Sequence, residues 1–297
     1  PKSTSGNAES ETKALDTLLD GESLEYVDVL TVKDMKAYIG TLNADDKLVI
    51  SGGDGTLNHF INDVDGLDVQ NEIYFYPTGT GNDFCRMFGT DADLFRDLDA
   101  LLNGTVHDID LIACNGSYGA NICSVGIDAR IGTSVHKYSG LPLIGGKGGY
   151  IVSAVVNAFR GIATRMHVRC GSYNVEAKHS LVCACNGRYY GGGFNPSPDA
   201  RLDDGILDVF IVKKVSLLTF ARLIGKYAKG HADDFPDYIT HLRGTDLSIE
   251  FDQEDVINLD GEGIPATSVT MHMMSKALRL IVPKGLGSGT EICPLSL

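Results

Sequence analysis

The sequence predicts a two-domain chain: a Rossmann-like α/β domain followed by an antiparallel β-sandwich or barrel. Up to about residue 110, apolar β-rich runs alternate with helical patterns, which argues for a parallel sheet covered on both faces. Beyond it, short alternating segments separated by Gly, Asn and Asp turns dominate, as in an antiparallel sandwich or barrel. The 297 residues also suit two domains, each able to bury its own core. The expected spans are 1–110 for the α/β domain, 111–286 for the β-rich domain and 287–297 for a tail of linker composition.

In chain order, a polar start leads into a helix from about Ala8 to Leu19. A strand at Tyr26–Leu30 ends at Thr31, and a helix from about Val32 to Leu42 carries Met35, Tyr38, Ile39 and Leu42 on one face. The strand Lys47–Ile50 runs into glycines and then a helix with Leu57, Phe60, Ile61 and Val64 on one side. Glu72–Tyr76 is the next strand. A helix from about Asp91 to Asn103 stops before Gly104, which suits a C-cap. The second part holds expected strands at Asn121–Val125, Thr164–Cys170, Ser180–Cys185, Leu207–Val212, Leu247–Phe251, Val256–Leu259, Val269–Met274 and Ala277–Val282. Helices at about Gly149–Arg160 and Ser216–Lys229 interrupt them.

Composition narrows the function classes. A formal net charge of −14 argues against a nucleic-acid partner, because neutralising phosphates needs clustered Lys and Arg. Two local basic groups stand out: Arg160, Arg165 and Arg169, and Lys213, Lys214, Arg222, Lys226 and Lys229. The seven Cys form no C-x-x-C pair, and the apolar surroundings of Cys183 and Cys185 favour buried free thiols and a reducing compartment. No apolar run approaches the ~20 residues of a transmembrane segment, and no secretory signal is visible. The expected location is cytoplasmic.

The chemistry concentrates in four stretches. Gly52-Gly53-Asp54-Gly55-Thr56 follows a strand and opens a helix, so backbone N–H groups and the positive helix end suit a phosphate. No Gly-Lys-Ser/Thr closes the loop, which excludes a P-loop; the alternative is a tight turn with a solvated Asp. One β-α unit on, Pro77-Thr78-Gly79-Thr80-Gly81-Asn82-Asp83-Phe84 offers N–H and O–H donors, with Asn82 and Asp83 able to cap the next helix. Ligands on parallel sheets sit at the carboxyl ends of strands, where both loops lie. Tyr189–Asp208 contains Gly191-Gly192-Gly193 and Asp203-Asp204-Gly205, either a turn into a strand or a hard-cation site of carboxylate and carbonyls. Asn258-Leu259-Asp260-Gly261-Glu262 is a strand and an acidic turn.

In this order, the four stretches resemble the diacylglycerol kinase catalytic-domain family, related to the sphingosine kinases. The first loop is also similar to that of NAD kinases, but Pro-x-Gly-Thr-x-Asn-Asp-Phe-x-Arg is not found there in this form. The resemblance covers positions 1 to 262. It implies ATP against Gly52, Gly53, Asp54, Gly55, Thr56, Asn58, Thr31, Thr80, Asn82 and Asp83, and Mg2+ held with the nucleotide by Asp54. Glu262 is implied as the general base, with Asp260 second. Bacterial members hold a structural Mg2+ that here would take the Asp204 side chain and the carbonyls of Arg201 and Ile206. Pro1, Ser5 and Gly6 look like the remnant of the family's opening loop. The implied activity is an ATP-dependent lipid kinase, diacylglycerol being the first substrate and sphingoid base, ceramide or phosphatidylglycerol the alternatives. A soluble-substrate kinase of the NAD kinase type and a non-catalytic binding relative are the rival classes. Peripheral membrane contact is expected, with Gly140–Gly146 as a candidate contact. A homodimer stays open, since nothing in the sequence speaks to oligomeric state. His59, His167, His179, His231 and His272 show no ligand spacing.

Overall fold

The computed structural model describes residues 25–28, 31–64, 69–139, 162–286 and 295, and the elements are numbered over these residues. The chain divides into two compact units, Pro1–Ile109 with Lys276–Leu297, and Asp110–Ser275. Residues 276–286, assigned from sequence to the second domain, are thus grouped with the first.

The first unit holds α1 (Met35–Ile39), β1 (Leu48–Gly52), α2 (Asp54–Asp63), β2 (Ile73–Pro77), α3 (Asp83–Arg86), a 3-10 stretch Gly89–Arg96 and α4 (Leu98–Leu102). Strand β3 (Thr105–Cys114) leads into the second unit. That unit contains β4 (Ser117–Gly119), β5 (Ile122–Gly126), α5 (Ile127–Ser139), β6 (Thr164–Cys170), β7 (Tyr173–Cys185) and β8 (Leu207–Lys213). It continues through α6 (Leu217–Tyr227), β9 (Ile239–Gly244) and β10 (Asp246–Leu259) into β11 (Glu262–Val282), whose end returns to the first unit.

In the first unit β1 and β2 are parallel, Leu48 opposite Ile73 through Gly52 opposite Pro77. The end of β11 adds a parallel neighbour to β2, with Ile281 opposite Tyr74. Leu57, Phe60, Ile61 and Val64 are all buried, as their helical spacing requires. Behind the second loop, Phe84 meets Phe75, Phe88 and Phe95 edge-on at centroid distances of 5.9, 6.2 and 6.4 Å. The expected single helix over 91–103 is instead a 3-10 stretch and α4, because the Asp97 carboxylate accepts from the Asp99 and Ala100 N–H groups and starts a new helix. Asn103, not Gly104, caps its C-terminus. Gly104 serves another purpose: a Cβ there would lie 2.2 Å from the Val282 carbonyl oxygen.

In the second unit β10, β5, β7, β8 and β9 form an antiparallel run, and β6 pairs with both β10 and β7. The inward residues alternate along β6, where Met166, Val168 and Cys170 join one core cluster with Val182, Val209, Ile249 and Met271. Cys183 and Cys185 lie on one face of β7, buried and free, with sulfurs 3.6 Å apart. This is the α/β-plus-antiparallel-β architecture that the sequence predicts.

Several element boundaries differ from expectation. Leu247–Phe251 and Val256–Leu259 belong to one strand, with the register shift absorbed between Glu250 and Asp255. Val269–Met274 and Ala277–Val282 are likewise one strand, passing Lys276 at a left-handed φ of 57°. Strands β3, β4 and β9 and helix α5 are additions. Tyr26, Val27 and Asp28 carry no strand. The expected helices at 8–19 and 149–160, the opening-loop remnant at Pro1–Gly6 and the apolar 140–146 stretch lie outside the described residues. Among the described residues, no helix is long and apolar enough to cross a membrane.

Candidate functional site

In the first unit the two glycine loops are built against each other. The Thr78 N–H donates to the Gly52 carbonyl at 2.8 Å. A Cβ on Gly79 would lie 2.5 Å from Gly53 Cα, and one on Gly52 would lie 2.2 Å from Thr56 Oγ1. The glycines of the first loop therefore permit close approach, and none of Gly52, Gly53 or Gly55 has a positive φ. That backbone freedom is used instead at Asn82, with φ 48°, and at Gly191, Gly192 and Gly193, with φ of 60°, 81° and 130°. Gly55 faces open space, and Thr80 is exposed.

Asp54 is the pin between the loops. Its Oδ2 accepts from the Asp83 N–H at 3.0 Å, and its Oδ1 accepts from the Phe84 N–H at 2.9 Å. A carboxylate thus caps the start of α3, where unpaired N–H groups favour negative charge. Each oxygen keeps a further lone pair for a cation or donor. Asn82 donates to the Gly79 carbonyl at 2.7 Å, while its own buried Oδ1 has no hydrogen-bond partner among the described residues. Asp83 is buried with Arg86 Nε 3.5 Å from its Oδ1, so it orders the loop from within. Arg86 and Arg96 also donate to the loop carbonyls of Gly81 and Pro77. Asn58 is buried on α2, and Thr31 is exposed, its hydroxyl donating to the Asp28 carbonyl at 2.7 Å. The open Gly55 turn, the orphaned Asn82 oxygen and the spare lone pairs of Asp54 fit a nucleotide phosphate with its divalent cation. A cavity of about 390 Å³ bounded by Lys36, Ile39, Val64 and Asn71 includes neither loop in its lining.

In the second unit Asp260 and Glu262 have different environments. Asp260-Gly261 is a two-residue hairpin turn joining Leu259 to Glu262, with φ of 49° and 99°, the signs of a type I′ turn. The Asp260 carboxylate accepts from the backbone N–H groups of Ala120, Asn121 and Ile122, at 2.6, 3.1 and 2.8 Å. Its acceptor capacity is largely committed to holding the entry to β5. Glu262 opens β11 with its side chain exposed.

The Asp204 turn is already supplied with a cation. Asp204 Oδ2 accepts from Arg243 Nη2 at 2.9 Å, and its Oδ1 accepts from the Ile206 N–H at 3.1 Å. Arg243 Nε also lies 3.2 Å from Asp208 Oδ1, and His241 Nε2 lies 2.9 Å from the same oxygen. Burial raises the Asp204 carboxyl above its ordinary value, with the Ile206 N–H and Arg243 opposing. The hydrogen bond to Asp208 raises His241. With its single anionic donor held by a guanidinium, the set of Asp204 with the carbonyls of Arg201 and Ile206 does not fit a divalent ion beside Arg243. Among the described residues no cluster of three or more His, Cys, Asp or Glu could hold a metal.

Three residues escaped the sequence reading. Asp110 is fully buried and accepts from the Gly205 N–H at 2.6 Å, anchoring the same turn. Arg243 sits on β9, a strand too polar to read as one. Asp128 opens α5, buried, with Ser124 Oγ donating to it at 2.9 Å, and burial pushes its carboxyl up to about 6. Its signal was present as an acid directly after an apolar strand, between Ile127 and Ile131 at helical spacing. The candidate histidines stay dispersed: His59 is exposed, His179 is buried, and His231 and His272 pair with Asp234 and Asp246.

These features define a class: an α/β unit with paired glycine loops pinned by one aspartate, continued by an antiparallel β unit. Comparison with known proteins makes the assignment more specific. Residues 1–114 match the diacylglycerol kinase catalytic domain, and residues 121–282 match the YegS C-terminal NAD kinase beta sandwich-like domain. The chain belongs to the lipid kinase family that combines these two domains. The protein named "Probable lipid kinase YegS-like" from Shewanella frigidimarina is 28% identical, over 84% of this chain and 81% of the relative. "Putative lipid kinase SAR0780" from Staphylococcus aureus is 25% identical, over 90% and 85%. In fold, the chain is similar to a diacylglycerol kinase from Bacillus anthracis, with a TM-score of 0.69 at 20% identity, covering 96% of this chain and 95% of that one.

Proposed function

We propose that the protein transfers the γ-phosphoryl group of ATP to the hydroxyl of a membrane lipid, diacylglycerol being the first candidate and phosphatidic acid the product. The observation that carries the reading is the pair of glycine loops, Gly53 against Gly79, with the Asp54 carboxylate bound to the first N–H groups of α3. Loops that meet backbone to backbone leave their peptide dipoles to a polyphosphate, and phosphoryl transfer asks mainly for alignment and charge stabilisation. Divalent metal bound with ATP would supply charge neutralisation between phosphates, and Asp54 is assigned to hold it. Glu262 is assigned the proton of the attacking hydroxyl, whose oxygen bonds to the γ-phosphorus as the bond to ADP breaks. Asp260 is assigned a positioning role, because its carboxylate is held by three backbone N–H groups. The relatives' names, which say lipid kinase, support the acceptor class and leave the individual lipid open.

The test is transfer from radiolabelled ATP to a panel of diacylglycerol, sphingoid base, ceramide, phosphatidylglycerol and NAD. Label in a lipid is expected. Label in NAD alone would exclude the proposal, and intact ATP binding without transfer would assign the chain to the non-catalytic relatives. Glu262→Gln should lower kcat by a factor of 100 or more, of the order a general base contributes, with ATP affinity unchanged. A kcat near the parent's would remove Glu262 from the role.

A further inference from the structure

We infer that the outward face of α6 is the surface by which this protein docks on an anionic lipid bilayer. Helix α6 buries Phe220, Leu223 and Tyr227, and Phe220 and Leu223 join the cluster of Ile127, Ile131 and Val215. Its other side leaves Leu217 54% and Leu218 64% exposed, values a water-facing helix does not need. Ala221, Arg222, Gly225, Lys226 and Lys229 are exposed with them. Two neighbours extend the patch. The Lys213 N–H donates to the carbonyl of the exposed Tyr238 at 2.9 Å, and the Lys214 N–H donates to the carbonyl of the exposed Lys178 at 3.0 Å.

The charge is segregated. No Asp or Glu occurs from Lys213 to Ala232, within a chain of net charge −14. Lys214, Arg222, Lys226 and Lys229 make no ion pair among the described residues, and Lys213 Nζ reaches only the Asp237 carbonyl. The other basic group differs: Arg165 pairs with Glu176 at 2.7 Å and Arg169 with Glu250 at 2.8 Å. Of the nearby acids, Asp233 and Asp234 are occupied by His241 and His231, and Asp237 is exposed beside Lys213. An exposed apolar pair ringed by unpaired cations is the chemistry of an interfacial element. Leucines enter the acyl boundary while long basic side chains reach the phosphates. A nucleic acid would leave the leucines without a partner. Choosing a bilayer over an acidic protein rests on the lipid kinase reading.

The experiment is co-sedimentation of the full chain with vesicles of phosphatidylcholine alone, or of phosphatidylcholine and phosphatidylglycerol in equal parts. Two double variants run beside the parent, Leu217→Ser with Leu218→Ser, and Arg222→Glu with Lys226→Glu. All four positions are exposed, and thermal melting verifies that the variants fold. The parent should bind the mixed vesicles, weaken with salt and bind phosphatidylcholine much less. Each variant should lose roughly tenfold or more in partitioning, since a cation at such a surface contributes about fivefold. Transfer to a short-chain diacylglycerol below its micelle concentration should match the parent. A smaller loss in either variant, or a parent indifferent to phosphatidylglycerol, would overturn the inference. So would self-association broken by the same substitutions, which would give the face to a second copy. If neither the parent nor a variant phosphorylates the short-chain lipid, diacylglycerol is excluded as the acceptor while the vesicle result still decides the docking face.

Discussion

Asp128 offers a sharp test of how the second unit is held together. The carboxyl is buried, and burial lifts it from 3.8 to about 6 against the opposing hydrogen bond from Ser124. Between those values the unfolded chain has released a proton that the folded chain retains, so stability falls as pH rises through the window. The contribution is complete below 3.8 and lost above about 6. At about 1.4 kcal/mol per pH unit, ionised Asp128 costs about 3 kcal/mol at neutral pH. Asp128→Asn keeps an acceptor oxygen for Ser124 and removes the ionisation. Its stability relative to the parent should grow from near zero at pH about 3.5 to about 3 kcal/mol at pH about 7.5. That corresponds to a Tm increase of roughly 6 to 12 °C. Paired urea and thermal unfolding across this range reads it, because the subtraction removes pH effects common to both chains. A difference that stays flat with pH, or a variant less stable at neutral pH, would refute the reasoning.

Other substitutions separate the roles assigned above. Asp260→Ala removes the acceptor for three backbone N–H groups and should cost roughly 2–4 kcal/mol, whereas Glu262→Ala, at an exposed position, should stay within about 0.5 kcal/mol; urea midpoints read both. Gly79→Ala places a methyl 2.5 Å from Gly53 Cα and should weaken ATP binding at least tenfold by forcing the loops apart. Gly55→Ala meets open space and should stabilise the fold by about 0.5–1 kcal/mol, so any loss of ATP affinity there reports contact with the nucleotide, measured by calorimetry. Arg243→Met removes the cation from Asp204; melting should then rise on Mg2+ addition, while the parent's melting at the same turn stays indifferent.

The local rules of the chain made much of this legible. Period and punctuation placed β1, α2 and β2, because Leu57, Phe60, Ile61 and Val64 must share a face and glycines must end the strand. The α/β-then-β order followed from a change in period near residue 110. Four ordered stretches of glycines and acids resemble the diacylglycerol kinase family, and that resemblance implied the candidate chemistry.

Only the tertiary structure decided which partners those residues have. Whether Asp54 was a turn residue or a pin depended on where Asp83 and Phe84 bring their N–H groups, twenty-nine and thirty positions away in the chain. Asp260 and Glu262 are near-identical in sequence terms, yet one is bound by the backbone of residues 120–122 and the other is exposed. Arg243 reaches Asp204 because β8 and β9 pair with Asp208 opposite Arg243, a register no local pattern encodes. Burial of Asp128 likewise comes from distant strands and helices. Periodicity and turn chemistry are local, so a sequence states them; hydrogen-bond partners and desolvation are set by long-range packing, so the fold alone does.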